Sequence, residues 1–352
     1  MEMTRSGKIF TFFLILLLSS DEMSLHARAQ SITRQLESSE AIAPAPDTAE
    51  TFVSVGDTRL HYVESGSGRT VVLIHGNAGD VQDFDFGTLD LLAHNFHVIA
   101  FDLPGHGLSK MPDNAKGTIQ EQAVTLHQAL TALGVKVPIL VGHSWGGAIA
   151  LAYAIFYPHE ISALVLLAPV AYSGNRHDVP VGFLLRMPLL SDICLALFKP
   201  ILGRRLLKNS LKEAFSPDPV PEEYLKAVAA VWLDRKHLKA FIKNDATVDS
   251  SLQELSPRYH KIHVRVIIVI GDSDQAVSPQ QNAYDIHRAI ANSELFVIPR
   301  AGHQIPQKHP EAILRAVDRA TVDAPQADEA EKMHWQAPLQ KGLDNFRIMF
   351  NR

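Results

Sequence analysis

Gly142-His143-Ser144-Trp145-Gly146 fits the pattern G-x-S-x-G. A serine on a tight turn between a strand and a helix is held in a strained backbone conformation with its Oγ exposed. The pattern is short and recurs by chance, so its flanks carry the weight. An apolar run, Pro138–Val141, ends at it, and a small-residue helical run, Gly146–Tyr157, begins after it and stops at Pro158. A serine hydroxyl needs a base to take its proton and a third group to orient that base. Seventeen histidines are available, so position must choose among them. Active-site groups of open α/β sheets sit beyond the carboxyl ends of the strands. His303, in Ala301-Gly302-His303, follows the last strand-like run, Glu294–Ile298. His75, His143 and His309 read as packing or surface residues. The acid comes from Gly271-Asp272-Ser273-Asp274, directly after Val264–Ile270. Asp274, at the loop into the next helix, is the expected orienter, and Asp272 the brace of the turn.

Acyl transfer also needs hydrogen-bond donors where negative charge develops. The backbone N–H of Trp145 supplies one. The second is expected from the Asn77 N–H in the loop His75–Asp80. Phe84, Trp145, Val170 and Ile305 either line a substrate pocket or pack a helical insertion onto the sheet, and the sequence leaves both readings open.

These residues need a scaffold, and the chain has a pattern for one. Thr51–Val55 and Arg59–Glu64 read as a hairpin around Gly56-Asp57. Thr70–Ile74, His97–Phe101, Pro138–Val141, Ala163–Leu167 and Val264–Ile270 are continuous apolar runs, the signature of strands buried on both faces. Ile119–Leu133 has helical spacing and ends at Gly134. Pro279–Ala291 and Pro310–Ala320 also read as helices. Strands alternating with helices imply a mostly parallel sheet covered on both sides. Residues 173–260 break the alternation: they show helical patterns and no apolar strand, with Phe183, Met187, Leu195, Phe198, Trp232 and Phe241 as their large apolar residues.

The 352 residues carry 33 Lys plus Arg against 38 Asp plus Glu, a net charge of −5. That mild acidity argues against nucleic acid as the main partner, since phosphate neutralisation needs a basic face. The single cysteine, Cys194, allows no internal disulfide and no cysteine-based metal cluster. At the N-terminus, Arg5 and Lys8 precede the apolar run Ile9–Leu18, which is shorter than the roughly 20 residues a bilayer needs. Followed by Ala27-Arg28-Ala29, it reads as an export signal of residues 1–29, or as an anchor if uncleaved. A linker at 30–50 and a charged tail at 321–352 flank the core, 51–172 and 261–320. The run Arg204-Arg205 with Lys208 and Lys212 is a solvated helix face or a contact to an anionic membrane.

The order Ser144, Asp274, His303 resembles the α/β-hydrolase superfamily, in its serine-nucleophile, lid-containing esterase and lipase-like branch. The supporting segments are His75-Gly76-Asn77, Phe101-Asp102-Leu103-Pro104-Gly105-His106-Gly107-Leu108-Ser109, Gly142-His143-Ser144-Trp145-Gly146-Gly147, Gly271-x-x-Asp274 and Gly302-His303. The resemblance implies an α/β fold with a mostly parallel eight-stranded sheet, helices on both faces, and a helical lid at 173–260 after the sixth strand. It implies that Asp102 organises the turn after its strand. It implies acyl-enzyme hydrolysis of an ester with an apolar acyl or aryl group, without metal or organic cofactor. Carbon–carbon bond hydrolysis, amide hydrolysis and non-catalytic ligand binding are the alternatives on the same fold.

Overall fold

The computed structural model describes residues 50–77, 79–174, 204–232 and 234–322. The expected signal segment 1–29, nearly all of the linker, the first part of the insertion with Phe183, Met187, Leu195 and Phe198, and the tail from 323 lie outside the described residues.

Eight strands form one sheet in the order β1-β2-β4-β3-β5-β6-β7-β8. They are β1 Thr51–Val55, β2 Thr58–Ser65, β3 Thr70–Ile74, β4 His97–Phe101, β5 Ile139–His143, β6 Ala163–Leu167, β7 Arg265–Gly271 and β8 Ser293–Ile298. β1 and β2 pair antiparallel, as do β2 and β4, and the remaining pairs are parallel. The apolar runs became the interior strands because a parallel sheet is covered on both faces. All five residues of β5 and of β6 are buried.

Helices α1 Thr88–Ala93, α2 Ile119–Ala132, α3 Trp145–Phe156, α7 Asp285–Ala289, α8 Ile305–Lys308 and α9 Pro310–Thr321 complete the core. Between β6 and β7 stand α4 Arg204–Phe215, α5 Glu222–Trp232 and α6 Arg235–Leu255. The sequence reads His237–Asp245 as helical, and α6 is longer at 21 residues, capped by the Asp234 side chain on the Lys236 N–H. The expected helix Pro279–Ala291 starts as a π turn, Gln280–Tyr284, before α7. Among the described residues, no helix is long and apolar enough to cross a membrane.

Register places the chemistry. Ile74 pairs with Gly142, His143 with Leu167, Leu167 with Val269, and Gly271 with Ile298. The strands therefore end level, and the loops after β3, β5, β7 and β8 open at one edge.

Asp102, just past β4, braces that edge. Its Oδ2 accepts from His61 Nδ1 and from the Leu108 N–H, each at 2.8 Å, and its Oδ1 accepts from the Val81 N–H at 2.8 Å. Burial pushes this carboxyl up, but His61, His75 and the two N–H donors outweigh burial and hold it below the ordinary range. One side chain thus ties β2, the loop after β3 and the loop after β4. Removing a buried charge leaves its partners unpaired, at a cost of about 3–5 kcal/mol. Asp102→Ala is expected to destabilise the protein by that amount, read as a thermal midpoint lowered by roughly 10 °C. A shift under 2 °C would show that the turn holds without it.

Candidate active site

Ser144 sits between β5 and α3 with φ 54° and ψ −117°. A positive φ on a residue with a Cβ is strained and persists only where the surroundings enforce it. Here they do. The Ser144 N–H donates to the Leu167 carbonyl at 2.9 Å, and its own carbonyl accepts from the Val170 N–H at 3.0 Å. The flanking glycines are a packing requirement: a Cβ on Gly142 would lie 2.4 Å from the Gly146 carbonyl oxygen, and one on Gly146 would lie 2.3 Å from that of Ile74.

His303 Nε2 is 2.9 Å from Ser144 Oγ, and His303 Nδ1 is 2.8 Å from Asp274 Oδ2. Asp274 Oδ1 accepts from the Ala276 and Val277 N–H groups, both at 2.9 Å, which fixes the carboxylate plane. The structure thus brings together all three residues expected from the sequence. Asp272 takes the other role: its Oδ1 accepts from Ser273 Oγ at 2.8 Å and from the Arg300 N–H at 2.7 Å. In this arrangement Nε2 can take the Oγ proton while Asp274 holds the ring and balances its charge.

The loop after β3 runs beside the serine, and a Cβ on Gly76 would lie 3.4 Å from Ser144 Cβ. Asn77 follows Gly76, half-buried, and the Trp145 N–H is at the first residue of α3, where helical N–H groups have no partner within the helix. Both expected donors therefore belong to the segments that flank Ser144. Phe84 and Ile305 are fully buried and Val170 nearly so, all three within the main core.

Several contacts of the site were invisible in the sequence. His143 Nε2 donates to the His303 carbonyl at 3.0 Å, and the His303 N–H donates to the Ala214 carbonyl at the end of α4 at 2.9 Å. His303 is thus held on both sides of its own backbone. Burial and the nearby His303 drive His143 down to about 3, so it stays neutral and keeps the donor proton. From α5, the Tyr224 hydroxyl donates to Asp83 Oδ1 at 2.9 Å. From α6, Asn244 reaches Asn77 and His106. His75 Nε2 accepts from the Leu103 N–H at 3.0 Å, a bracing role consistent with its sequence reading. Among the described residues, no group of three or more His, Cys, Asp or Glu could hold a metal ion.

Two carboxyls beside the Asn77 loop titrate near neutrality. Burial, with Asp83 and Asp102 nearby, raises Asp80 to about 8. Burial raises Asp83 to about 7, against the hydrogen bond from Tyr224. In the unfolded chain both lose their protons near 4. The folded state therefore binds more protons between about pH 4 and 8, and stability falls as pH rises through that window. Asp80→Asn keeps the acceptor for the Gln82 N–H (2.8 Å) and removes the charge. It is expected to raise the thermal midpoint at pH 8.5, with the gain shrinking toward pH 5. An equal gain at both pH values would show that charge burial is not the cause.

The alpha/beta hydrolase fold family matches residues 69–310. The chain belongs to that family. Among curated proteins, it is 27% identical over 281 residues to 2-hydroxy-6-oxo-6-phenylhexa-2,4-dienoate hydrolase of Burkholderia cepacia, covering 76% of this chain and 94% of that one. It is 26% identical, with the same coverage, to 2-hydroxy-6-oxononadienedioate/2-hydroxy-6-oxononatrienedioate hydrolase of Comamonas testosteroni. Among solved structures, an alpha/beta hydrolase fold protein from Burkholderia ambifaria superposes with a TM-score of 0.66 at 26% identity, covering 77% of this chain and 97% of its own. The protein is thus an α/β-fold hydrolase by family, with a serine, a histidine and an aspartate in hydrogen-bonded sequence at the carboxyl edge of its sheet.

Proposed function

We propose that this α/β hydrolase cleaves a carbon–carbon bond next to a ketone in a 2-hydroxy-6-oxo-dienoate, with Ser144 as nucleophile, His303 as base and then acid, and Asp274 as orienter. The observation that carries the substrate class is the match to hydrolases of such compounds across 94% of their own lengths. The carboxylic ester expected from the sequence would meet the same Ser144–His303 pair, so the geometry serves both, and the relatives favour the ketone.

The chemistry sets its own requirements. Carbon is a poor leaving group unless its electron pair can spread into a conjugated carbonyl. The dienol must first become its keto tautomer, moving a proton from the 2-hydroxyl to C5. Ser144 Oγ then adds to the C6 carbonyl as His303 Nε2 takes its proton. The Asn77 and Trp145 N–H groups hold the oxyanion. The C5–C6 bond breaks, its pair enters the dienolate, and His303 returns the proton to the departing fragment. Water, deprotonated by His303, releases the acid from Ser144. The products are a carboxylic acid and a 2-hydroxydienoate.

The test is a substrate comparison on the purified protein. With 2-hydroxy-6-oxo-6-phenylhexa-2,4-dienoate, the expected result is loss of the conjugated absorbance and formation of benzoate. Its kcat/KM should exceed that of the best p-nitrophenyl ester, from acetate to palmitate, by 100-fold or more. Ester turnover without dienoate turnover would restore the esterase reading. Turnover of neither by folded protein would point to ligand binding without catalysis.

A further inference from the structure

The geometry points to Asn244 of α6 as a positioning residue for the oxyanion site: it tethers the Asn77 loop, so that the insertion completes the catalytic edge. The inference rests on the reading of Ser144 as an acyl nucleophile and of the Asn77 N–H as a donor to the oxyanion.

Asn244 is fully buried, although its amide is polar. Burying such a group without partners is costly. Its Nδ2 donates to Asn77 Oδ1 at 3.1 Å and to His106 Nε2 at 3.0 Å. Burial holds His106 well below the ordinary histidine range, so its ring is neutral and can accept on Nε2. Asn77 is gripped a second time, because its Nδ2 donates to the Phe241 carbonyl at 3.3 Å. The Phe241 carbonyl and the Asn244 side chain lie within one turn of α6. One helix therefore binds both ends of the Asn77 amide. His237, one turn before Phe241, packs edge-on against His106 with ring centroids 4.7 Å apart and planes at 88°. Thr247 Oγ1 donates to the Gly117 carbonyl at 2.9 Å, which anchors the next turn.

The purpose of such a grip follows from the chemistry. An oxyanion donor is effective only at the position the charge will occupy, and removing one costs about 10²–10³ in turnover. A misplacement near 1 Å can cost about 100-fold. The Asn77 loop contains Gly76 and Gly79 and, among its described residues, no regular element. Its side chain, not its backbone, is what α6 holds. The tether acts on where the peptide N–H points.

The experiment compares wild type, Asn244→Ala, Asn77→Ala and the double variant on the substrate that the protein turns over, with Ser144→Ala as the reference. Asn244→Ala is expected to lower kcat about 30-fold while KM stays within about 3-fold. Affinity for a boronic acid that forms a tetrahedral adduct on Ser144 should fall in parallel, and that for the carboxylic acid product should not. Asn77→Ala cuts the same link from the loop side. It should give a similar loss, and the double variant should be little worse than either single one. If Asn244→Ala does not fold, Asn77→Ala and the boronate carry the test alone. Unchanged kcat, a raised KM alone, or additive losses would overturn the inference. Full turnover by Ser144→Ala would instead overturn the hydrolase reading beneath it.

Discussion

Ser144→Ala is expected to reduce kcat by about 10⁴-fold or more. The Oγ is the only nucleophile in hydrogen-bond reach of His303 Nε2 among the described contacts. The fold should survive, because the forces holding φ at 54° are backbone hydrogen bonds to Leu167 and Val170, which alanine retains. A thermal midpoint within a few degrees of wild type would confirm an intact protein. His303→Ala should cost about as much, and the double variant little more, because nucleophile and base act as one unit. Losses that multiply would mean that the two residues do not cooperate. A loss below 10-fold for Ser144→Ala would remove it from the chemistry.

Asp274→Asn is expected to lower kcat by about 10⁴-fold, although it changes one atom. The reason lies in which oxygen does what. Oδ1 faces two backbone N–H groups, and Oδ2 faces His303 Nδ1. An asparagine satisfies the two N–H groups only by turning its oxygen toward them. Its NH₂ then points at Nδ1, which must accept. The ring proton moves to Nε2, the atom that has to receive a proton from Ser144. The base is present and in place but in the wrong tautomer. Steady-state kinetics on Asp274→Asn and Asp274→Ala would check this. A loss below 10-fold for Asp274→Asn would assign Asp274 to the loop's structure alone.

Much of the site was legible because its signals are local. The nucleophile turn requires glycine at Gly142 and Gly146 for steric reasons that act over a few residues. The apolar runs announce strands wherever both faces are covered, and the base and acid must follow strand ends in a parallel sheet. Ser144, Asp274 and His303 were found from those rules, and Asp102 from the family's turn. Those rules left the proposed carbon–carbon bond cleavage as an alternative to ester hydrolysis. An ester carbonyl and a ketone carbonyl ask the same of the triad, so the pattern of catalytic residues does not separate them.

The sequence by itself determined the sheet, the elbow and the order of Ser144, Asp274 and His303, since each depends on hydrophobic period, glycine sterics and strand polarity within short stretches. Only the tertiary structure decided the residues that hold these groups in place. His61 meets Asp102 across 41 positions, Tyr224 meets Asp83 across 141, His143 meets His303 across 160, and Asn244 meets Asn77 across 167. In the sequence, a polar residue on a helix such as α6 looks the same whether it faces water or a loop. Docking of the insertion on the loops after β3, β4 and β8 removes the water, and a buried amide or carboxyl must then find a partner in the protein. Which partner it finds depends on where the helices land, and no local pattern encodes that.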